Sequence, residues 1–119
     1  MENAVKDWFL QAEADLDSAE YNLAGGKYYV AVIFAQQAAE KSLKALYIKK
    51  FKQLYKVHDL VILARKVGAP QEILEICYEL EPLYTATRYP DDIMNYVQND
   101  IEDLIEKSEK VISWVKENL

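Results

Sequence analysis

The stretch Phe34-Ala35-Gln36-Gln37-Ala38-Ala39-Glu40-Lys41-Ser42-Leu43-Lys44-Ala45-Leu46 lies inside a run from Tyr28 to Lys50 that holds neither glycine nor proline. Its small residues Ala31, Ala35, Ala38, Ser42 and Ala45 step by four, three, four and three. That spacing predicts a helix with a stripe narrow enough for another backbone to approach closely. Val30, Phe34 and Gln37, or Phe34, Ala38 and Lys41, define an adjoining mixed face, so this helix is expected to touch neighbours on more than one side. Helices of two subunits meeting on the small-residue stripe would make a homodimer seam.

Upstream, Val5, Trp8, Phe9, Ala12, Leu16, Ala19 and Leu23 also follow helical steps, and Gly25-Gly26 end that segment. Downstream, a Lys- and Tyr-rich stretch from Phe51 to Val57 leads into a short helix from His58 to Val67, stopped by Gly68. Asp59 near its start and Arg65-Lys66 near its end suit the two ends of the helix dipole. Pro70 can open a further helix over about Gln71 to Thr87, bent at Pro82. Pro90 holds Tyr89 extended, which leaves Arg88-Tyr89 at a junction. Asp91-Asp92 then precede a last amphipathic helix with the stripe Ile93, Val97, Ile101, Leu104, Ser108, Val111 and Val115. No segment alternates with period two for long enough to argue for a strand. The expected fold is all-α, an up-and-down bundle of four to five helices forming a single domain over residues 1–119.

With 119 residues the chain can bury a core without covalent staples. Its one cysteine, Cys77, cannot form an internal disulfide, no apolar run approaches the roughly 20 residues needed to span a bilayer, and the N-terminus lacks the order of a signal peptide, so a cytoplasmic protein away from membranes is expected. The net charge of −6 is unevenly spread. From Lys27 to Lys66 nine basic residues face two acidic ones, a net of +7, whereas the rest of the chain is strongly acidic. The basic segment either neutralises acidic helices or forms a face for a phosphate-bearing ligand or acidic partner.

Several chemistries find no support in the residues. The only histidine, His58, has no metal-ligand partner at helical spacing, and neither a nucleophile elbow nor a glycine-rich phosphate loop occurs. No metal and no cofactor are expected. What remains is a polar set on the central helix, Gln37, Lys41 and Lys44 along one face, with Glu40 placed for an i,i+4 ion pair to Lys44. Arg88 adds a planar, permanently charged group suited to phosphate. Tyr28, Tyr29, Tyr47 and Tyr55 lie in the basic segment, where rings can stack on bases or fill the interior.

At these residues the sequence resembles the HEPN family, named for a nucleotide-binding domain of higher eukaryotes and prokaryotes. The matching features are Ala12-Glu13-Ala14-Asp15-Leu16 with Ala19, the Gly26-Lys27-Tyr28 turn, Phe34 to Leu46, His58-Asp59-Leu60, and Arg88-Tyr89-Pro90-Asp91. The resemblance implies a bundle of four to five helices, frequent homodimerisation, and pairing of minimal members with a small nucleotidyltransferase on a separate chain, as in toxin–antitoxin pairs. Ribonuclease members carry Arg, four to six residues, then His. Here the positions eligible after Arg88 are Ile93, Met94 and Asn95, so the motif is incomplete. A toxin subgroup places a tyrosine two residues beyond that His, and Met94-Asn95-Tyr96 keeps the tyrosine, which makes Tyr96 the adenylate-acceptor candidate.

Three functions follow as expectations. The first is a non-catalytic HEPN subunit that binds a nucleotide or substrate, with Gln37, Lys41, Lys44, Arg88 and Tyr89 as the ligand-binding candidates and a nucleotide or RNA among its partners, and that pairs with a small nucleotidyltransferase. The second is a toxin-type ribonuclease with a degenerate Arg/His motif. The third is a structural dimerisation module.

Overall fold

The computed structural model describes residues 2–56, 58–83 and 97–119. Five helices are seen among them: α1 (Glu2–Ala24), α2 (Tyr28–Phe51), α3 (Leu60–Lys66), α4 (Gln71–Leu80) and α5 (Gln98–Asn118), with no strand among the described residues. The all-α bundle expected from the sequence is what forms.

The second helix is the axis of the fold. At about 1.5 Å per residue, its 24 residues reach nearly the whole 39 Å length of the molecule. Thirteen of them are buried, so the helix is covered on several sides. The first helix runs along it as the most extensive helix pair, α5 covers a second side, and α3 abuts a third. One core cluster gathers Phe9, Leu43, Leu46, Leu63, Leu80 and Val115, among others. A second joins Ala19, Ala31, Val32, Ala35, Ile101 and Ile105.

The small-residue stripe is where the sequence reading needs correction. Ala31, Ala35, Ala38, Ser42 and Ala45 are all fully buried within the single chain. Ala31 and Ala35 pack with Ala19 of α1 and Ile101 and Ile105 of α5. Ser108 Oγ donates to the Ala35 carbonyl at 2.6 Å, which shows how near α5 comes. Close approach did follow from small side chains, but the approaching helices belong to the same chain, so this stripe is not the seam of a dimer.

Two turns explain how the helices reverse. Gly26 sits at φ 76°, with its N–H donating to the Leu23 carbonyl and that of Lys27 to Asn22. Gly68 at φ 78° repeats the arrangement, Gly68 N–H to Arg65 and Ala69 N–H to Ala64. Both are paired capping motifs that satisfy the last carbonyls of a helix and place a residue where a Cβ is unfavourable.

Two boundaries refine the expectation. The fourth helix is Gln71–Leu80, and Glu81-Pro82 form a turn before Leu83, which is helical again, while the expected end near Thr87 lies outside the described residues. Proline has no N–H to give the preceding turn, so the regular helix is interrupted at Pro82, where the bend was expected. The last helix begins at Gln98 behind an extended Val97 (φ −115°, ψ 159°), so Val97 belongs to the approach and not to the stripe. The buried stripe is Ile101, Ile105, Ser108, Val111, Ile112 and Val115. Asp91, Asp92 and Ile93 lie outside the described residues.

Candidate functional site

Polar side chains line the α2 surface in an order set by helical spacing. At its N-terminal half, Gln36 is buried and Gln37 half-buried, and the Gln37 amide donates to Gln36 Oε1 at 2.9 Å. Gln36 Nε2 has no hydrogen-bond partner among the described residues.

One turn on, Lys41 Nζ reaches across to α1 and donates to Asp15 Oδ2 at 2.6 Å. Gln11 donates to the other oxygen, Asp15 Oδ1, at 2.9 Å. The Asp15 side chain is 3% exposed and that of Lys41 24%, so water reaches the cation but hardly the anion. The sequence reading missed Asp15. Its signal was present, because Asp15 falls three residues after Ala12 and four before Ala19, on the stripe that α1 buries. An acid on an apolar stripe requires a cation opposite it.

The second cluster is deeper. Glu40 is buried, and its Oε2 accepts from Lys44 Nζ at 3.2 Å, the i,i+4 pair that the spacing predicted. The Lys44 side chain is only 5% exposed, and its ammonium also lies 5.4 Å from the centroid of the Trp8 ring. Ion pair and ring face together hold this charge away from water. His58 Nδ1 stands 3.0 Å from the same Glu40 Oε2, while Glu40 Oε1 has no partner among the described residues. Eighteen positions separate Glu40 and His58, and only the return of the chain between α2 and α3 brings them together.

That return is built on the N-terminus of α3. Asp59 caps it, its Oδ1 accepting the Ile62 N–H at 2.9 Å. Glu81, just past α4, accepts the Leu60 N–H at 2.6 Å. Burial pushes the Glu81 carboxyl above its ordinary range; the Leu60 N–H opposes this, the negative charges of Asp59 and Glu40 add to it, and His58 works against it. Burial also drives the neighbouring Cys77 thiol up to about 12, with a smaller push from Glu81, so it is an inert core residue. Tyr55 is pushed up too, by burial first and then by Asp59, Tyr47 and Glu81, and it packs against Tyr47, which in turn meets Phe51.

Of the residues singled out from the sequence, Gln37, Lys41 and Lys44 do share one side of α2. Their polar ends are however engaged: Gln37 by Gln36, Lys41 by Asp15 and Lys44 by Glu40. Arg88, Tyr89 and Tyr96 lie outside the described residues, as do Met94 and Asn95. No group of three or more His, Cys, Asp and Glu side chains fit to hold a metal occurs among the described residues. Nor is any described helix long and apolar enough to cross a membrane.

Comparison with known proteins agrees with this architecture. The family profile described as HEPN domain matches residues 5–118. TT1696 from Thermus thermophilus is similar in crystal structure, with a TM-score of 0.90, 31% identity, and 98% of this chain and 99% of that one covered. The crystal structure of ST0689, an archaeal HEPN homologue, gives a TM-score of 0.83 at 32% identity, with 96% of each chain covered. No curated protein matches the chain.

Proposed function

The chain belongs to the HEPN domain family, and from that premise we propose that it is a non-catalytic subunit that binds a nucleotide or RNA and partners a small nucleotidyltransferase. One observation carries the non-catalytic part. The ribonuclease motif needs a histidine after Arg88 where this chain has Ile93, Met94 and Asn95. The geometry also sharpens the proposed roles on α2. Lys41 and Gln37 retain exposure and can meet a ligand, whereas Lys44 serves to hold Glu40. Arg88 and Tyr89 enter on their chemistry alone: a guanidinium offers a bidentate fork to phosphate, and a phenol ring can stack on a base. Pairing as a homodimer and a toxin–antitoxin role belong to the same proposal.

Metal-free protein incubated with single-stranded and structured RNA should leave both intact. Titration with mono- and dinucleotides should show binding that Arg88→Ala weakens and a Lys49/Lys50 double alanine variant retains. Loss confined to the double variant would overturn the site. With the transferase and ATP, Tyr96 is the proposed acceptor: its oxygen would bond to the α-phosphorus, pyrophosphate would leave, and the phenol proton would pass to solvent. The chain's mass would then rise by one adenylate, and Tyr96→Phe would abolish the increase.

A second reading is favoured by the Glu40–His58 contact. A carboxylate at Nδ1 fixes the tautomer and orientation of an imidazole, an arrangement suited to acid–base chemistry. RNA cleavage lost in His58→Ala would favour that reading over the first.

A further inference from the structure

An open cleft lies away from the polar row, where α1 begins and α2 and α5 end. It encloses about 420 Å³ between Val5, Phe9, Leu10 and Leu119, with Lys6, Lys49, Lys52 and Glu2 around it. That volume is of the order of established ligand pockets, about 300–1,000 Å³. Leu10 is 50% exposed although it lies on the first helix of a packed bundle.

Charge distinguishes this cleft from the other grooves. The four charged side chains around it sum to +2 on a chain of net −6. By contrast, the groove of α1 with the start of α5 is lined by Glu20, Glu102, Glu106 and Glu109 without a cation. The Lys49 ammonium donates to the Leu119 carbonyl, whereas the ammonium groups of Lys6 and Lys52 make no hydrogen bond or ion pair among the described residues. Lys52 is held in place by its backbone: it sits at φ 57° as the cap of α2, with its N–H donating to the Ile48 carbonyl.

We propose that this cleft docks an acidic amphipathic helix of a partner chain, seating apolar side chains on Val5, Phe9 and Leu10 and placing carboxylates against Lys6 and Lys52. Charge complementarity selects the occupant. An apolar floor favours helix-borne aliphatic anchors at i, i+3 or i+4, and i+7, and a basic rim rewards acidic residues flanking them. The proposal rests on the reading that the chain has a protein partner; the chemistry of the docked segment comes from the cleft.

The probe is a labelled, helix-forming peptide with leucines at those spacings and glutamates between them, followed by fluorescence anisotropy against the full chain. A matched peptide with lysines in place of the glutamates is the control. The acidic peptide should bind the more tightly, and its affinity should fall as salt rises. Leu10→Asp and a Lys6→Glu/Lys52→Glu double variant should each weaken it by about tenfold or more, and the double variant should gain affinity for the basic peptide. These positions are exposed, and unchanged thermal melts would show that the variants remain folded. Equal binding of the two peptides, or no effect of either variant, would overturn the proposal. So would binding of added dodecanoate but of neither peptide, which would mark a site for small amphiphiles, or a doubled mass abolished by Leu10→Asp, which would show that a second copy fills the cleft. A transferase that co-purifies equally well with Leu10→Asp docks elsewhere, which overturns the cleft while leaving the partnership. An acidic peptide bound there with no transferase recovered does the reverse.

Discussion

The two lysines of the central helix differ in what their removal leaves behind. In Lys44→Ala, Glu40 stays buried with only His58 beside it, and breaking a buried pair in this way costs about 3–5 kcal/mol. A Glu40→Gln/Lys44→Met double variant removes both charges and should recover most of that loss in urea denaturation. Lys41→Ala should cost less than Lys44→Ala, because Gln11 still donates to Asp15 and the Lys41 site is open to water. If Lys41→Ala proves the worse variant, the order of burial of the two pairs is wrong. Glu81 sets a pH dependence. Its folded pKa lies above the ordinary 4.5, so the folded chain binds this proton more tightly than the unfolded one. The resulting stabilisation is fully present below 4.5 and is lost as pH rises through the raised value. Glu81→Gln lacks this titration but can still accept the Leu60 N–H. Between about pH 7 and about pH 4, wild type should therefore gain stability relative to Glu81→Gln, as read from urea midpoints. A constant gap across that range would count against the burial of this carboxyl.

At the scale of the element, helix ends explain more of the local architecture than helix propensities do. The seven residues of α3 are too few to form a stable helix alone, so its cap and its stop matter. Asp59→Ala removes the side chain that accepts the Ile62 N–H and should cost about 1 kcal/mol. Gly26→Ala forces a Cβ into the left-handed region and should cost about 1–2 kcal/mol. Nothing lies within 4 Å of the Cβ that would be added at Gly26, so the whole of that loss would be conformational. Equilibrium unfolding of both variants checks these values. A loss at Gly26 well above this range would point to a contact that the open surroundings do not show.

For the whole molecule, the burial of the Ala31–Ala45 stripe inside one chain changes what an oligomerisation test should use. Ala38→Glu places a carboxylate where the native residue is fully buried, so it should disrupt the fold itself, with lost helical circular dichroism. It cannot serve as a dimer-splitting variant. If Ala38→Glu keeps its fold and only halves its mass in light scattering, the stripe is an intersubunit seam after all. Any dimer of this protein has to use another surface. Among the described ion pairs, the Lys107 contacts to Glu79 and Asp103 are exposed and worth little, whereas the Lys41–Asp15 and Lys44–Glu40 pairs each hold a buried carboxylate.

The sequence alone determined the helical class, the positions of α1, α2 and α3, the Glu40–Lys44 pair and the family, because each depends on spacing within a few residues or on a contiguous motif. Periodicity reveals which face of a helix is apolar, but not which helix will cover it. Whether Ala35 meets α5 or a second subunit, whether Asp15 finds Lys41, and whether His58 comes to rest on Glu40 are matters of long-range packing. The same holds for the cleft between Val5, Leu10 and Lys52, whose floor and rim come from three helix ends far apart in the chain. Local energies set the elements, whereas burying apolar stripes together, with each buried charge matched, selects the one arrangement in which these residues meet.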